Sequence, residues 1–205
     1  MTKQGPLGLF GGRFDPIHRA HISIATAAAN KLNLTEVRWI VSGDPEHKAV
    51  HATAEHRLEM VRLALLESQD VRMTIDDREI RAAQRGESNF TADTIAGIQR
   101  EFPGRPLIWI LGADQLEGFQ TWSRWRWLIN QMTLAVCLRP ESSTLQPADT
   151  LISQGATVLW IECPPDSISS TEIRDRIRTQ ATIESLVPKS VHTYIEQHLL
   201  YQQLS

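Results

Sequence analysis

The chain has 205 residues, of which 41% are hydrophobic, and it carries a formal net charge of −3. This size and composition predict one globular domain spanning residues 1–205. The weak negative charge argues against a protein that coats nucleic acid, which carries a strong basic excess. No stretch approaches the roughly 18 apolar residues that a membrane span needs, and the apolar run at 7–10 is too short for a signal peptide. We therefore expect a cytoplasmic protein with neither a nucleic-acid nor a membrane partner.

The two cysteines are the candidates for a disulfide or a thiolate metal site. Cys137 and Cys163 are too few for a disulfide framework and lack the spacing of a metal site. We therefore expect both side chains to be buried thiols.

Short apolar runs alternate with helical patterns along the whole chain. Leu58, Val61 and Leu65 mark one face of a helix at spacings of three and four residues. Thr91 is placed to cap a further helix, and the polar stretch 141–149 is predicted to be a surface loop. In chain order, the pattern predicts a strand at 7–10, a helix at 20–31, a strand at 37–41, the helix around Val61, a strand at 71–75, the helix after Thr91, strands at 107–111, 133–138 and 157–161, and helices at 171–179 and 188–200.

This alternation of strands and helices predicts the fold class. It indicates βαβ units, and therefore an α/β, Rossmann-like fold with a mostly parallel sheet and helices on both faces. Such sheets bind ligands beyond the carboxyl ends of their strands. The loops after Phe10, Val41, Leu111 and Ile161 are therefore the expected ligand site.

The loop after the first strand has the residues of a phosphate site. Gly11 and Gly12 allow a ligand to approach the backbone closely, and the N-terminus of the following helix favours an anion. His18 and His21 lie three residues apart at the start of that helix, so both can donate to one phosphate. The same residues also fit an ordinary strand–turn–helix with two surface histidines. Neither the dinucleotide-binding nor the P-loop glycine pattern is present.

A second candidate phosphate site precedes the first of the two C-terminal helices. The hydroxyls of Ser170 and Thr171 can cap this helix or donate to an anion, and Arg174 carries a planar donor set that suits phosphate. The alternative is a plain helix cap with solvated arginines. Arg176 and Arg178 are expected to lie on such a solvated face.

Three further positions lie at the predicted ligand edge of the sheet. Lys48 follows the second strand, Gly112 and Asp114 follow the apolar strand at 107–111, and Trp122 precedes a short helix. Taken alone, Lys48 is a solvated loop lysine and Asp114 is a charge at a helix N-terminus.

The loop Gly-Gly-Arg-Phe-Asp-Pro-Ile-His-Arg-Ala-His at 11–21 resembles the signature of the HxGH nucleotidyltransferase superfamily. Ala20 stands where that signature has glycine, Arg13 replaces a small hydroxyl residue, and the segment 86–91 is one residue longer than its counterpart. Within the superfamily, the chain resembles the bacterial nicotinate-nucleotide adenylyltransferases. Further motifs carry this resemblance in the same order, at 47–48, 57–61, 91–95, 112–116, 122, 139–140, 168–174 and 186–188.

The resemblance implies a reaction and its substrates. It implies transfer of the adenylyl group of ATP to nicotinate mononucleotide, which gives nicotinate adenine dinucleotide and pyrophosphate in NAD biosynthesis. Mg²⁺ would be carried by ATP, with no metal site formed by the protein. The alternatives are an adenylyltransferase acting on phosphopantetheine or nicotinamide mononucleotide, and a module that binds a nucleotide without turnover.

The resemblance also implies roles for individual residues. His18, His21 and Lys48 would be catalytic, and the C-terminal helices at about 170–200 would complete the ATP phosphate site. Trp122 would stack on the pyridine ring of nicotinate mononucleotide, which Lys48 and Thr91 would also contact. The residues expected to bind ATP are Gly11, Gly12, Phe14, His18, His21, Gly112, Asp114, Ser170, Thr171 and Arg174.

Overall fold

Six parallel strands form one sheet at the centre of the protein. The structure is a computed structural model that describes residues 5–43, 51–87, 90–138, 146–163 and 168–202. Its strands are β1 (Leu7–Gly12), β2 (Glu36–Val41), β3 (Met73–Asp76), β4 (Leu107–Gly112), β5 (Thr133–Leu138) and β6 (Val158–Glu162). Their order across the sheet is β3-β2-β1-β4-β5-β6, and every neighbouring pair is parallel. This is the strand order of a doubly wound α/β fold, so the predicted Rossmann-like fold is confirmed.

Helices connect the strands and close the chain. No helix of the described segments is long and apolar enough to cross a membrane. The helices are α1 (Arg19–Lys31), α2 (Ala54–Ser68), α3 (Arg78–Gln84), α4 (Thr91–Glu101), α5 (Ala113–Glu117), α6 (Trp125–Leu128), α7 (Gln146–Ser153), α8 (Ser170–Arg178) and α9 (Lys189–Gln197).

Each face of the sheet has its own hydrophobic core. Successive side chains of a strand point to opposite faces, so Leu9 and Phe10 of β1 enter different cores. The first core also receives Val61 of α2, while the second receives Ile95 and Ile98 of α4. Helices therefore cover both faces, as the sequence predicts.

The third strand and the fourth helix begin differently from the prediction. Val71 is 95% exposed, because the Asp70 carboxylate accepts hydrogen bonds from the main chain and guanidinium of Arg72 and forms a turn there. The strand therefore begins at Met73. Thr91 is the first residue of α4 rather than its cap, a position that Phe90 occupies.

The stretch 141–149 is only partly the surface loop that was predicted. Residues 141–145 lie outside the described part of the chain, but Asp149 belongs to α7. Ala148 and Leu151 lie three residues apart and are buried against the second core. That spacing places both side chains on one helical face. Packing of this face against the second core therefore stabilises a helix here.

The expectation of two buried thiols is wrong, because Cys137 and Cys163 form a disulfide with their Cα atoms 5.7 Å apart. Cys137 of β5 lies opposite Ile161 of β6. Cys163 follows Ile161 by two residues, so both cysteines face the same side of the sheet. The sequence separation of 26 residues hides a proximity that the parallel register creates.

Candidate active site

The carboxyl ends of β1 and β4 meet where the strand order reverses. β1 lies between β2 and β4 in the sheet. It leads into α1, which packs on one face, while β4 leads into α5, whose Leu116 lies in the core of the other face. The two loops therefore diverge and leave a crevice, which is the usual ligand site of a doubly wound sheet.

Two glycines allow the loop after β1 to lie against aromatic rings. A Cβ atom on Gly11 would lie 2.6 Å from the indole of Trp109, and one on Gly12 would lie 2.9 Å from the ring of Phe14. Both distances are shorter than side chains tolerate. Phe14 itself adopts a left-handed backbone conformation, with φ at 51°. A side chain at either of these last two positions of β1 would therefore displace an aromatic ring.

The two histidines of the loop lie together at the N-terminus of α1. Their rings stack with centroids 3.7 Å apart, and the main-chain N–H of His18 donates to Nδ1 of His21 at 3.2 Å. Because Nδ1 accepts this bond, the neutral ring of His21 carries its hydrogen on Nε2. His18 is buried and His21 is half-buried. Ala20 between them is 4% exposed, so protein covers its methyl group.

The start of α8 packs directly on this loop. The Ser170 hydroxyl donates to the carbonyl of Pro16 at 2.9 Å. The Arg174 guanidinium donates to the carbonyl of Asp15 at 2.7 Å and to the hydroxyl of Thr171 at 3.1 Å. The structure thus brings the two predicted phosphate sites together, although Ser170 and Arg174 use these donors on the backbone of the loop.

Asp15 has a carboxylate that is buried beneath the loop, where the sequence predicts no role for it. Its side chain is acceptor to three donors: the N–H of His51 at 2.7 Å, the N–H of Ala52 at 3.1 Å and the hydroxyl of Tyr201 at 2.8 Å. Asp15 therefore joins the loop both to the segment before α2 and to the end of the chain. An aspartate followed by proline predicts a turn, but nothing local predicts these partners.

Arg57 is a second structural residue that the sequence analysis passed over. Its fully buried guanidinium donates to the carbonyls of Arg13 at 2.9 Å, Gly43 at 3.1 Å and Ala52 at 3.3 Å. Burial lowers the pKa of Arg57, and the nearby Asp15 carboxylate opposes that shift. A sequence signal was available, because Arg57 lies on the buried face of α2 four residues before Val61. A charge at such a position needs partners.

Lys48 lies outside the described residues, as do Ser88, Asn89 and the motif at 139–140. The described chain stops at Gly43 and resumes at His51. Each of these two residues is bonded to a buried side chain. The guanidinium of Arg57 donates to the carbonyl of Gly43, and the carboxylate of Asp15 accepts from the N–H of His51.

Trp122 belongs to an aromatic group on the other side of the crevice. Its ring lies 4.8 Å from that of Phe119 and meets Trp109 edge-on at 6.0 Å. Trp109 in turn contacts Gly11. A single indole therefore separates the ring predicted to stack on a pyridine from the loop predicted to bind phosphate.

An ion pair links the predicted contacts Thr91 and Trp122. Arg124, two residues beyond Trp122, pairs with Asp93 in the first turn of α4, the helix that begins at Thr91. Both charged side chains are about half exposed. The structure therefore places Thr91 and Trp122 on neighbouring elements.

Asp114 lies at the carboxyl end of β4, with an exposed side chain. Gly112 precedes it and caps α5. A Cβ atom on Gly112 would lie 2.5 Å from the carboxylate of Asp114. The glycine thus makes room for this carboxylate at the mouth of the crevice.

Glu79 is a buried acid near the same helix that the sequence analysis also missed. It accepts a hydrogen bond from the hydroxyl of Thr94 in α4 at 2.7 Å. Burial raises the pKa of Glu79 to about 7, and the negative charge of Asp76 adds to the shift. The acid therefore changes its protonation state near neutral pH. Within the described segments, no group of three or more histidine, cysteine or acidic side chains is arranged to hold a metal ion.

The fold and this loop agree with a comparison to protein families. Residues 9–176 match the family model described as cytidylyltransferase-like. That match covers the crevice from β1 to the middle of α8. The protein is therefore of the nucleotidyltransferase class.

Curated relatives narrow this class. A protein of Neisseria meningitidis serogroup C is 35% identical over 204 residues, which cover 96% of this chain and 98% of the relative. A protein of Chromobacterium violaceum is 34% identical with the same coverage. Both carry the name "probable nicotinate-nucleotide adenylyltransferase". The chain belongs to the nicotinate-nucleotide adenylyltransferase family.

Solved structures show the same fold. The nicotinic acid mononucleotide adenylyltransferase of Plasmodium falciparum complexed with NaAD aligns with a TM-score of 0.80 and 19% identity, covering 96% of this chain and 97% of that one. The same enzyme complexed with APC aligns with a TM-score of 0.77 and 18% identity.

Proposed function

We propose that this chain transfers the adenylyl group of ATP to nicotinate mononucleotide, releasing pyrophosphate and forming nicotinate adenine dinucleotide, a step of NAD biosynthesis. The observation that carries the proposal is the crevice where the glycine–histidine loop, the start of α8 and the ring of Trp122 converge. It supplies an anion site and an aromatic face side by side. The names of the relatives at about one-third identity supply the chemistry of both substrates.

The reaction is an in-line displacement at the α-phosphorus of ATP. The phosphate oxygen of nicotinate mononucleotide forms a bond to this phosphorus, and the bond to the oxygen bridging to the β-phosphate breaks. The electron pair of the broken bond leaves with pyrophosphate. Because the nucleophile is already an anion, no protein group needs to remove a proton. Catalysis then consists of positioning the substrates and stabilising charge.

The catalytic charge stabilisation would come from the start of α1. We assign the Nε2–H of His21 to the α-phosphate, because its Nδ1 accepts from the chain and leaves Nε2 as the donor. The side chain of His18 and the positive end of the α1 dipole would act on the same anion. We assign Lys48 to the transferring phosphates, since the resemblance extends through His47 and Lys48.

The remaining ATP contacts would follow the loops of the crevice. Gly11, Gly12 and Phe14 shape the phosphate loop, while Gly112 and Asp114 would contact the ribose. At α8, the Thr171 hydroxyl accepts from Arg174 and keeps its own hydrogen to donate to a β- or γ-phosphate. Ser170 would contribute its main-chain N–H at the helix start.

Arg174 would act on ATP from beneath the loop. It is 7% exposed and bonded to the Asp15 carbonyl, so its charge supports the anion through the backbone as well as directly. We further propose that residues 1–205 form one nucleotidyltransferase domain, completed by α8 and α9.

The nicotinate mononucleotide would bind between α4 and the aromatic group. Trp122 would stack on the pyridine ring, and the main-chain N–H groups at Thr91 would bind the carboxylate, where the helix dipole favours an anion. Mg²⁺ would enter as the counter-ion of ATP, because this ion prefers phosphate oxygens and water to protein cages.

The direct test measures pyrophosphate release from ATP and Mg²⁺ with nicotinate mononucleotide, nicotinamide mononucleotide or phosphopantetheine. We expect kcat/KM for the acid to exceed that for the amide by at least ~10²-fold, because an amide leaves buried donors unpaired. Equal rates with acid and amide would mean a dual-specificity enzyme. No release with any acceptor would overturn the proposal.

Two histidine variants test the catalytic assignment. His21→Ala should lower kcat on the order of 10²–10³-fold, which is the usual loss of one charge-stabilising donor. His192→Ala is the matched control, because His192 pairs with Glu196 on the surface of α9. The assignment of His21 fails if both variants retain normal kcat.

Trp122→Ala separates stacking from recognition of the carboxylate. Both mononucleotides present a similar ring face, so the variant should raise both KM values and largely preserve their ratio. A ratio that collapses in this variant would assign the discrimination to Trp122 rather than to the start of α4.

A further inference from the structure

We propose that Tyr201, near the end of the chain, is a positioning residue that orders the phosphate loop through the carboxylate of Asp15. The inference builds on the proposed function, since it names a residue that acts on the same site. Tyr201 lies 186 positions after Asp15 in sequence, yet its hydroxyl donates to Oδ1 of Asp15 at 2.8 Å.

The end of the chain is held so that this hydroxyl reaches the loop. α9 ends at Gln197, and the following turn takes Tyr201 into a left-handed conformation with φ at 66°. The ring then packs against the first core, on the same side of the sheet as Phe14 and Ile17 of the loop. Packing fixes the ring, and the ring fixes the direction from which the hydroxyl meets Asp15.

The phenol acts as a permanent donor in this bond. Burial raises the pKa of Tyr201, and the negative charge of Asp15 raises it further. The hydroxyl therefore keeps its proton across the working pH range. A hydrogen bond from a neutral donor to a carboxylate is among the stronger ones in proteins.

Asp15 can transmit the position of Tyr201 because it is held at both its side chain and its main chain. Its carbonyl accepts from Arg174 of α8, while its carboxylate accepts from Tyr201 and from the N–H groups of His51 and Ala52. A change at the carboxylate therefore shifts the peptide that leads from Phe14 toward His18. Displacements of about 1 Å in a positioning element are known to slow catalysis up to ~10²-fold.

The test compares two hydroxyl deletions, since the chain contains two tyrosines. Tyr201→Phe keeps the packed ring and removes the donor to Asp15. Tyr194→Phe is the matched control, because the Tyr194 hydroxyl is bonded to His56 at 2.9 Å. We expect Tyr201→Phe to lower kcat about tenfold at a temperature where both variants are fully folded, and Tyr194→Phe to leave kcat unchanged. A purely structural role would lower Tm and leave kcat of the folded enzyme at the wild-type value, which would overturn the proposal.

A second readout is independent of activity. Amide hydrogen exchange of residues 11–18 and 51–52 should accelerate in Tyr201→Phe and not in Tyr194→Phe. Unchanged exchange in these segments would overturn the inference even if the enzyme is active. Conversely, accelerated exchange in a protein that releases no pyrophosphate would uphold the structural link and overturn only the proposed function.

A double-mutant cycle identifies Asp15 as the intermediary. In the background Asp15→Ala, the oxygen that accepts the hydrogen bond from Tyr201 is removed. The further change Tyr201→Phe should then have less than about a twofold effect on kcat, so the two effects are not additive. Full additivity would mean that Tyr201 acts by another route and would overturn the proposal.

Discussion

The two sides of the crevice are held by different forces. On the side proposed to bind ATP, called the ATP side, Arg57 and Arg174 donate to carbonyls of the loop, and the carboxylate of Asp15 accepts from the N–H groups at 51–52. On the side proposed to bind nicotinate mononucleotide, called the nicotinate side, the rings of Phe119 and Trp122 pack together, and an exposed ion pair joins this segment to α4. The hydrogen bonds of the ATP side fix the positions of individual peptide groups, whereas the rings of the nicotinate side form a flat aromatic surface.

This difference corresponds to what each substrate part requires. The in-line reaction depends on phosphate oxygens lying within hydrogen-bond distance of specific donors. Small shifts of these donors therefore lower the rate strongly. Stacking on an aromatic ring tolerates lateral shifts, because its energy varies slowly with position. We therefore expect substitutions on the ATP side to have larger effects than those on the nicotinate side, and the predictions below test that order.

The largest expected effect is on the arginine that binds three carbonyls. Arg57→Met should lower the free energy of unfolding by about 3–5 kcal/mol, because it leaves three carbonyls without their donor, and each unpaired buried group costs about 1–3 kcal/mol. Arg62→Met is the control on the same helix, since Arg62 makes an exposed pair with Glu59 that solvent screens, and its loss should be far smaller. Urea unfolding followed by circular dichroism measures both. Equal losses in the two variants would contradict the special role of the ATP side.

The disulfide extends the ATP side to the edge of the sheet, because Cys163 leads from β6 toward α8. Closing a loop of 26 residues restricts the unfolded chain, and we expect a stabilisation of about 3.5 kcal/mol. Dithiothreitol should lower the Tm of the wild type to that of Cys137→Ala/Cys163→Ala, which should not respond to the reductant. A wild-type Tm that is independent of reductant would show that the bond contributes nothing in solution.

The buried acid of the nicotinate side makes stability depend on pH. Its raised folded-state pKa of about 7 means that Glu79 stabilises the fold fully below its ordinary pKa. This contribution falls as the pH rises through about 7, where the folded protein must ionise a buried group. Between pH 5 and pH 8, the free energy of unfolding of Glu79→Gln should therefore rise by about 2–3 kcal/mol relative to that of the wild type.

Unfolding free energies measured at both pH values decide this prediction. Glu59→Gln is the control, because its hydrogen bonds with Arg62 lower the pKa of Glu59, and its pH response should appear in the acid range instead. A wild type and a Glu79→Gln variant with parallel pH profiles would show that Glu79 does not titrate near neutrality.

The smallest effect is expected at the surface ion pair. Asp93→Asn should lower the free energy of unfolding by at most about 1 kcal/mol and should change KM for nicotinate mononucleotide by less than about threefold. Steady-state kinetics beside Trp122→Ala measures this. A larger rise in KM than the tryptophan variant shows would mean that the ion pair, rather than the rings, holds the nicotinate side.

The strands were predictable because their signal is local. All six predicted strands are present, and five of them lie within one residue of their predicted ends or extend the prediction at its carboxyl end. The helices α3 and α7 were not predicted, because seven or eight residues carry too few turns for a periodic pattern. Within the proposed phosphate site, His18, His21, Ser170 and Arg174 were predicted from residue type, spacing and resemblance.

The contacts that hold the loop in place could not be predicted from local sequence in the same way. The partners of Asp15 come from three separate parts of the chain, and the Cys137–Cys163 disulfide depends on the register of two strands. Arg57 gave a partial signal, since a charge on an apolar helix face requires acceptors, but its carbonyl partners follow from the packing of α2 against the loop.

The amino-acid sequence by itself determined the alternation of strands and helices, the glycine–histidine loop and the family, because each depends on residues near one another in the chain. Only the tertiary structure decided that Tyr201 meets Asp15, that α8 packs on the phosphate loop and that one indole lies between Gly11 and Trp122. Such contacts join residues far apart in sequence. They form when the strands assemble into the sheet and the helices pack on it, so the geometry of the whole fold selects their partners.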